Sequence, residues 1–382
     1  MDFEFSDEQR QLRDTVQGFL AKEYPFDRLR ALKHSEAGWD RAVWRGLAEL
    51  GVLALGVPAS LGGLGYGPTE TLALMDACGP SLLLEPLLSS AVIATALLRE
   101  YETSAAAAEL LRAMGEGERI ATVAHFEAGA HFDTHWVDSR ASLRGETYHL
   151  EGRKAVVLHA GIADVLLVSA RTAGGTADAA GISLFWMPRE TPGLELVEYF
   201  NVDGQRAADV HLHDVRLPSS QRLGPEGAAF DAIERAFDVG LAALCAEAVG
   251  IMQALTDSTV EYLRTRQQFG QPIGRFQALQ HRVADMVMHL EQARSMSYFA
   301  ALRCTLADVQ ARRRALSAAK VVVGDAARFV GQQAVQLHGG MGMTDELKVS
   351  HCFKRLTAIG IMFGDSDAHV QRFAEITRAQ PS

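Results

Sequence analysis

The stretch Tyr262-Leu263-Arg264-Thr265-Arg266-Gln267-Gln268-Phe269-Gly270-Gln271-Pro272-Ile273-Gly274-Arg275-Phe276-Gln277 closes one long helical pattern, 226–266, and opens another, 275–305. Apolar residues recur three and four apart on both sides of it, and two more such patterns cover 309–338 and 365–378. Runs of roughly 30 to 40 residues far exceed the globular mean of about 11–12, and they predict a bundle that also packs on other subunits. Before Pro218 and Gly224-Pro225 the texture is different. Short β-branched and aromatic runs at 120–124, 141–143, 148–150, 155–158, 165–169, 182–186, 194–199 and 210–217 alternate with turn residues. Further upstream the chain reads as helix again. Ser6 and Gln9 form a capping box ahead of an amphipathic run at 7–23, and similar runs follow at about 39–50, 68–78, 83–99 and 103–115. The expected class is therefore α+β: an N-terminal helical domain (1–118), a middle β-barrel or sandwich domain (119–222) and a C-terminal long four-helix bundle (223–382).

With 382 residues, 48% of them apolar, the chain can bury a large core. Its 37 basic against 47 acidic side chains give a net charge of -10, which argues against a nucleic acid or an anionic lipid surface as partner. The four cysteines show no C-x-x-C spacing and indicate neither a zinc site nor a disulfide framework. No basic, apolar leader opens the chain and no run of about 18 uninterrupted apolar residues follows, so a cytoplasmic protein without membrane insertion is expected.

Two segments carry candidate chemistry. Arg266 stands beside a glycine-opened turn, which suits a pyrophosphate, and Phe269 can cover an aromatic ring; the plain alternative is a helix end with a solvated arginine. In Gln336-Leu337-His338-Gly339-Gly340-Met341-Gly342 three glycines after a helix let backbone N–H groups approach an anion, and the plain alternative is a glycine cap. The glycine-rich joint at 58–67 has no lysine and no G-x-G-x-x-G spacing, and reads as a loop.

With Arg266-x-x-Phe269-Gly270 followed by Gln277, with Gln336-x-x-Gly339-Gly340-x-Gly342, and with Asp209-Val210-x-Leu212-x-Asp214-Val215-x-Leu217-Pro218, the sequence resembles the acyl-CoA dehydrogenase family over essentially its whole length. The resemblance implies FAD, an acyl-CoA substrate, and an electron-transfer flavoprotein as acceptor. It implies that Arg266, Gln268, Phe269, Gln336, Gly339 and Gly340 hold the ADP half of an FAD whose flavin lies in a neighbouring subunit. The implied reaction removes an α proton with a carboxylate while hydride leaves the β carbon, giving a trans-2-enoyl-CoA.

The carboxylate is where the chain departs from the family. In place of the Tyr-Glu-Gly-Thr segment expected about 24 residues after the glycine doublet it reads Met362-Phe363-Gly364-Asp365-Ser366-Asp367, and a second family location falls on Gly240. Glu247 is the remaining candidate: it is the only charged residue between Val239 and Leu255, with apolar neighbours at i±3 and i±4, and an unpaired carboxylate there would be costly. Its alternative is a buried glutamate satisfied by an arginine from another helix. Asp365 and Asp367 stand in reserve, otherwise reading as a helix start.

The flavin-side motif is also altered. The family's Thr-Glu-Pro-x-Ala-Gly-Ser-Asp becomes Phe126-Glu127-Ala128-Gly129-Ala130-His131-Phe132-Asp133, and its Trp-x-Thr becomes Val156-Val157-Leu158. A kept ADP clamp with a weakened flavin cradle resembles the small subunits of bacterial α2β2 enzymes acting on pimeloyl-CoA or steroid side-chain esters, although a homo-oligomer stays open. The implied function is dehydrogenation of a bulky or dicarboxylic acyl-CoA within such an assembly. The alternatives are a catalytically silent ADP-clamping subunit and a flavin monooxygenase on the same scaffold. His125, Glu127, His131, Asp133 and His135 match no common ligand spacing, so no metal is expected.

Overall fold

The chain is described by a computed structural model covering residues 5–379. Helices α1 (Asp7–Glu23), α2 (Phe26–Lys33), α3 (Arg41–Glu49), α4 (Pro68–Cys78), α5 (Thr95–Arg99) and α6 (Ala105–Gly115) come first. Strands β1 (Ala121–Ala124), β2 (Arg140–Arg144), β3 (Thr147–Leu158), β4 (Val165–Arg171), β5 (Ile182–Pro188), β6 (Leu194–Phe200), β7 (Arg206–Pro218) and β8 (Arg222–Leu223) follow. The long α7 (Phe230–Thr265) leads into a minimal hairpin of β9 (Gln267–Gln268) and β10 (Gln271–Pro272), then α8 (Gln277–Arg303), α9 (Val309–His338), α10 (Lys348–Ile361) and α11 (Ser366–Ala379).

The described residues form two compact units, one of 32–67 with 84–240, the other of 5–31, 68–83 and 241–379. In the first, one sheet runs in the order β6-β7-β3-β2-β4-β5-β8, with β1 added in parallel to β4. Leu150, Leu166, Phe185 and Val210 lie in its fully buried core. The two short runs at 148–150 and 155–158 are a single strand, β3, which pairs with β7 through two register shifts. Gly152 and Val156 interrupt the alternation there, at φ +148° and +53°, and such bulges break the period-2 signal that sequence reading relies on. The segment read as a helix over 83–99 also resolves differently: Pro86 cannot donate to a helical ladder, and a π-helical stretch, Leu87–Ala94, precedes α5.

In the second unit the capping box at Ser6 is formed, with Ser6 Oγ accepting from Gln9 N at 3.2 Å and Gln9 Oε1 accepting from Ser6 N at 3.0 Å. Helices α4 and α7 cross backbone to backbone at two glycines. A Cβ on Gly250 would stand 2.1 Å from Asp76 O, and one on Gly79 would stand 2.4 Å from Glu247 O, so only glycine permits this approach. Helix α7 is long and apolar enough to cross a membrane, but 83% of its apolar window is buried, as in the core helix of a globular protein. Helix α10, absent from the sequence reading, buries Val349, Cys352, Leu356 and Ile359 on one face.

Candidate functional site

Two of the predicted segments end adjacent helices of the second unit. At the end of α7, Arg266 N donates to Tyr262 O at 2.8 Å, and Ile273 N donates to Arg266 O at 2.9 Å, closing the β9–β10 hairpin. Phe269 and Gly270 form its tip at φ +54° and +76°, the pair of left-handed residues that a type I′ turn requires. Left-handed backbone costs a phenylalanine roughly 1–2 kcal/mol, and here the ring gains no burial in return, being 91% exposed. Arg266 and Gln268 are exposed beside it.

Helix α9 is started by Asp308, whose Oδ1 accepts from Gln310 N and Ala311 N, and is ended by Gly339 at φ +61°. Gln336, Gly339 and Gly340 are exposed. Beyond the adjoining residues, nothing lies within 4 Å of where a Cβ on Gly339 or Gly340 would be, whereas one on Gly342 would press to 2.5 Å from Val335 O. The doublet thus leaves open ground before its peptide groups while Gly342 folds the turn back onto α9. The ends of α7 and α9 are joined by the stacked rings of Tyr262 and His338, 4.4 Å apart and 27° from parallel. An exposed guanidinium, an uncovered aromatic ring and unobstructed glycine peptides fit the phosphates and adenine of a dinucleotide.

The carboxylates are engaged elsewhere. Of the two readings of Glu247, the structure shows the buried glutamate satisfied by an arginine of another helix and not the unpaired carboxylate: Arg355 of α10 meets it through Nε at 2.6 Å and Nη2 at 2.7 Å, both side chains buried. A two-pronged guanidinium occupies the oxygens that a proton acceptor needs free. Asp365 Oδ1 accepts from Ala368 N at 2.9 Å, as an N-cap of α11, and Asp367 is exposed in that helix's first turn. The turn between α10 and α11 is held by buried Lys320, whose Nζ donates to Gly360 O at 2.9 Å and Gly364 O at 2.8 Å. Burial draws this lysine down to about 8. Phe363, at the position the family gives its base, sits in that turn at φ +59°.

In the first unit the altered flavin-side segment is a loop tied at both ends by one carboxylate. Glu127 accepts from Asp138 N at 2.8 Å, from Ser139 N at 3.1 Å and from Ser139 Oγ at 2.7 Å, and Lys154 Nζ reaches it at 2.7 Å. Burial alone would raise the pKa of Glu127, but the Lys154 charge and these donors outweigh it and hold it below the usual glutamate value. A carboxyl depressed in the folded state contributes stability that is complete above its unfolded value and is lost as pH falls through the folded one. Glu127→Gln is therefore expected to flatten the acid side of the stability profile below about pH 4.5, measured by urea denaturation at stepped pH. An unchanged slope would contradict this assignment. The loop's histidine His125 is fully buried, bonded to Ser169 Oγ and Thr134 O at 2.9 Å each. His135 pairs with Asp133, and among the described residues no group of three His, Cys, Asp or Glu could hold a metal.

Arg355, Tyr262 and His338 escape the sequence reading. Arg355 has Cys352 at i−3 and Ile359 at i+4, so it falls on the apolar face of its helix, but Lys354 beside it hides the signal that a lone charge such as Glu247 gives.

Family models for the acyl-CoA dehydrogenase N-terminal, middle and C-terminal domains match residues 6–118, 123–215 and 227–377. The chain is 29% identical to the probable acyl-CoA dehydrogenase YngJ of Bacillus subtilis (strain 168), over 97% of this chain and 98% of that protein. Among solved structures, the ChsE4–ChsE5 complex from Mycobacterium tuberculosis matches at TM-score 0.88 and 26% identity over all of both chains. A glycine-to-alanine variant of the Tcur3481–Tcur3483 steroid ACAD matches at TM-score 0.87 and 28% identity, over 97% of this chain and 98% of that one.

Proposed function

The chain belongs to the acyl-CoA dehydrogenase family of FAD-dependent oxidoreductases, and on that premise we propose that it serves as the cofactor-clamping subunit of a heteromeric enzyme that dehydrogenates a bulky or dicarboxylic acyl-CoA. When bound, FAD supplies the acceptor for the hydride that leaves the substrate's β carbon. Arg266 would meet the pyrophosphate, Phe269 would cover the adenine, and Gln268, Gln336 and the Gly339–Gly340 peptides would complete the contact. The flavin and the proton-accepting carboxylate come, in this reading, from a homologous partner subunit in the cytoplasm, with an electron-transfer flavoprotein as acceptor.

The observation that carries the reading is a pairing of opposites. The clamp faces outward, with Phe269 91% exposed, while Glu247, Asp365 and Asp367 form an ion pair, a helix cap and an exposed first turn. Support also comes from the loop 126–133, which has no serine or threonine to offer a flavin. Two of the similar solved structures are named for pairs of polypeptides, and one of them as a steroid ACAD.

The test is anaerobic dye reduction by a panel of straight-chain, dicarboxylic and steroid side-chain acyl-CoA esters. The chain purified alone is expected to give no turnover, and the chain co-purified with an acyl-CoA-dehydrogenase-like partner is expected to turn over the bulky or dicarboxylic esters. Full turnover by the lone chain would overturn the heteromeric reading.

A further inference from the structure

The β9–β10 hairpin has little of its own to hold it in place. Each strand is two residues long, Arg266 through Gly270 are all exposed, and a hairpin of this size is not stable by itself. What orients it is the last turn of α7. There Arg266 N bonds to Tyr262 O at 2.8 Å, and a Cβ on Gly274 would stand 2.9 Å from Leu263 O, so the hairpin lies close on this turn.

On the other side, His338 is the residue immediately before the glycine doublet. It is buried, and its ring is locked by a bond between Nδ1 and Ala334 O at 2.8 Å. Burial lowers its pKa, against the pull of that carbonyl, so the ring is neutral at physiological pH and Nδ1–H donates. Its face meets Tyr262 at 4.4 Å and 27°.

We propose that the Tyr262–His338 stack is a positioning pair for the cofactor clamp, fixing the span between the Arg266 guanidinium and the Gly339–Gly340 peptides. This rests on the reading that those two segments bind the ADP half of FAD. Neither ring is assigned a contact with the cofactor. Their effect passes through the helix ends that they tie together, because a clamp for a rigid pyrophosphate loses affinity when its halves drift apart.

The test titrates FAD into the deflavinated oligomer and reads the dissociation constant from quenching of flavin fluorescence, with melting temperature and size-exclusion profile recorded for each variant. Tyr262→Leu removes the stack and is expected to weaken binding about fivefold, the scale of a lost aromatic pair. Tyr262→Phe keeps the rings and is expected to stay within about twofold of the parent. Arg266→Ala tests the clamp itself. If Arg266→Ala weakens FAD binding and Tyr262→Leu does not, the positioning role is overturned while the clamp stands. If Tyr262→Phe weakens binding as much as Tyr262→Leu, the hydroxyl and not the stack is responsible, and the proposal fails. If Arg266→Ala leaves FAD binding unchanged, the clamp reading falls, and the positioning role falls with it.

Discussion

Arg355→Leu is expected to lower the stability of the folded chain by about 3–5 kcal/mol, because it leaves the Glu247 carboxylate buried without a partner. The geometry makes the loss large. Both side chains are less than one tenth exposed, and two charge-assisted bonds of 2.6 and 2.7 Å are broken together. Glu247→Gln is expected to be costly as well, since it takes the Glu247 charge away from the two buried bonds of the Arg355 guanidinium. The double variant Glu247→Leu with Arg355→Leu is expected to recover most of the loss, because well-packed apolar residues often replace a buried pair at little cost. Denaturant midpoints of the parent and these variants measure this directly. The same Glu247→Gln protein separates structure from chemistry: if the pair is structural, the enzyme that folds turns over as before. A fold of ordinary stability with turnover reduced about a thousandfold or more would return Glu247 to the role of base.

How far the sequence can be read depends on which physical signal each element carries. The capping box at Ser6 and the long apolar periodicities of α7, α8 and α9 are legible, since they are local and repeat over many turns. The sheet is legible in kind, but β3 reads as two strands because its bulge near Val156 breaks the alternation. Helix α10 goes unread: the glycines after α9 read as a loop or a cap, and a helix of 14 residues following a 3-10 turn has no side-chain cap of its own. That omission matters for the site. Without α10 there is no Arg355, and Glu247 looks unpaired. A desolvation argument identifies a carboxylate that needs a partner, but the partner lies 108 residues along the chain, and one-dimensional spacing does not carry that information. The Arg266 and Gln336 segments are legible as motifs. Their link through Tyr262 and His338 is not, because a ring stack between two helix ends leaves no periodic trace.

The second large effect concerns the flavin itself. An isoalloxazine held by a subunit with its own hydroxyl donors stays bound through purification, whereas a chain that contacts only the ADP end retains the cofactor only in the assembly that supplies the rest. Here the loop at 126–133 offers no serine or threonine hydroxyl, and Val156, at the position of the family's tryptophan, is 54% exposed.

The measurement that bears most directly on this account is the FAD content of the purified chain, read from visible absorption against protein concentration, first for the chain alone and then co-expressed with an acyl-CoA-dehydrogenase-like partner. A colourless chain that yields about one FAD for every two subunits on co-expression is the predicted result. About one FAD per chain in the protein expressed alone would contradict it, and would make this a self-sufficient homo-oligomer.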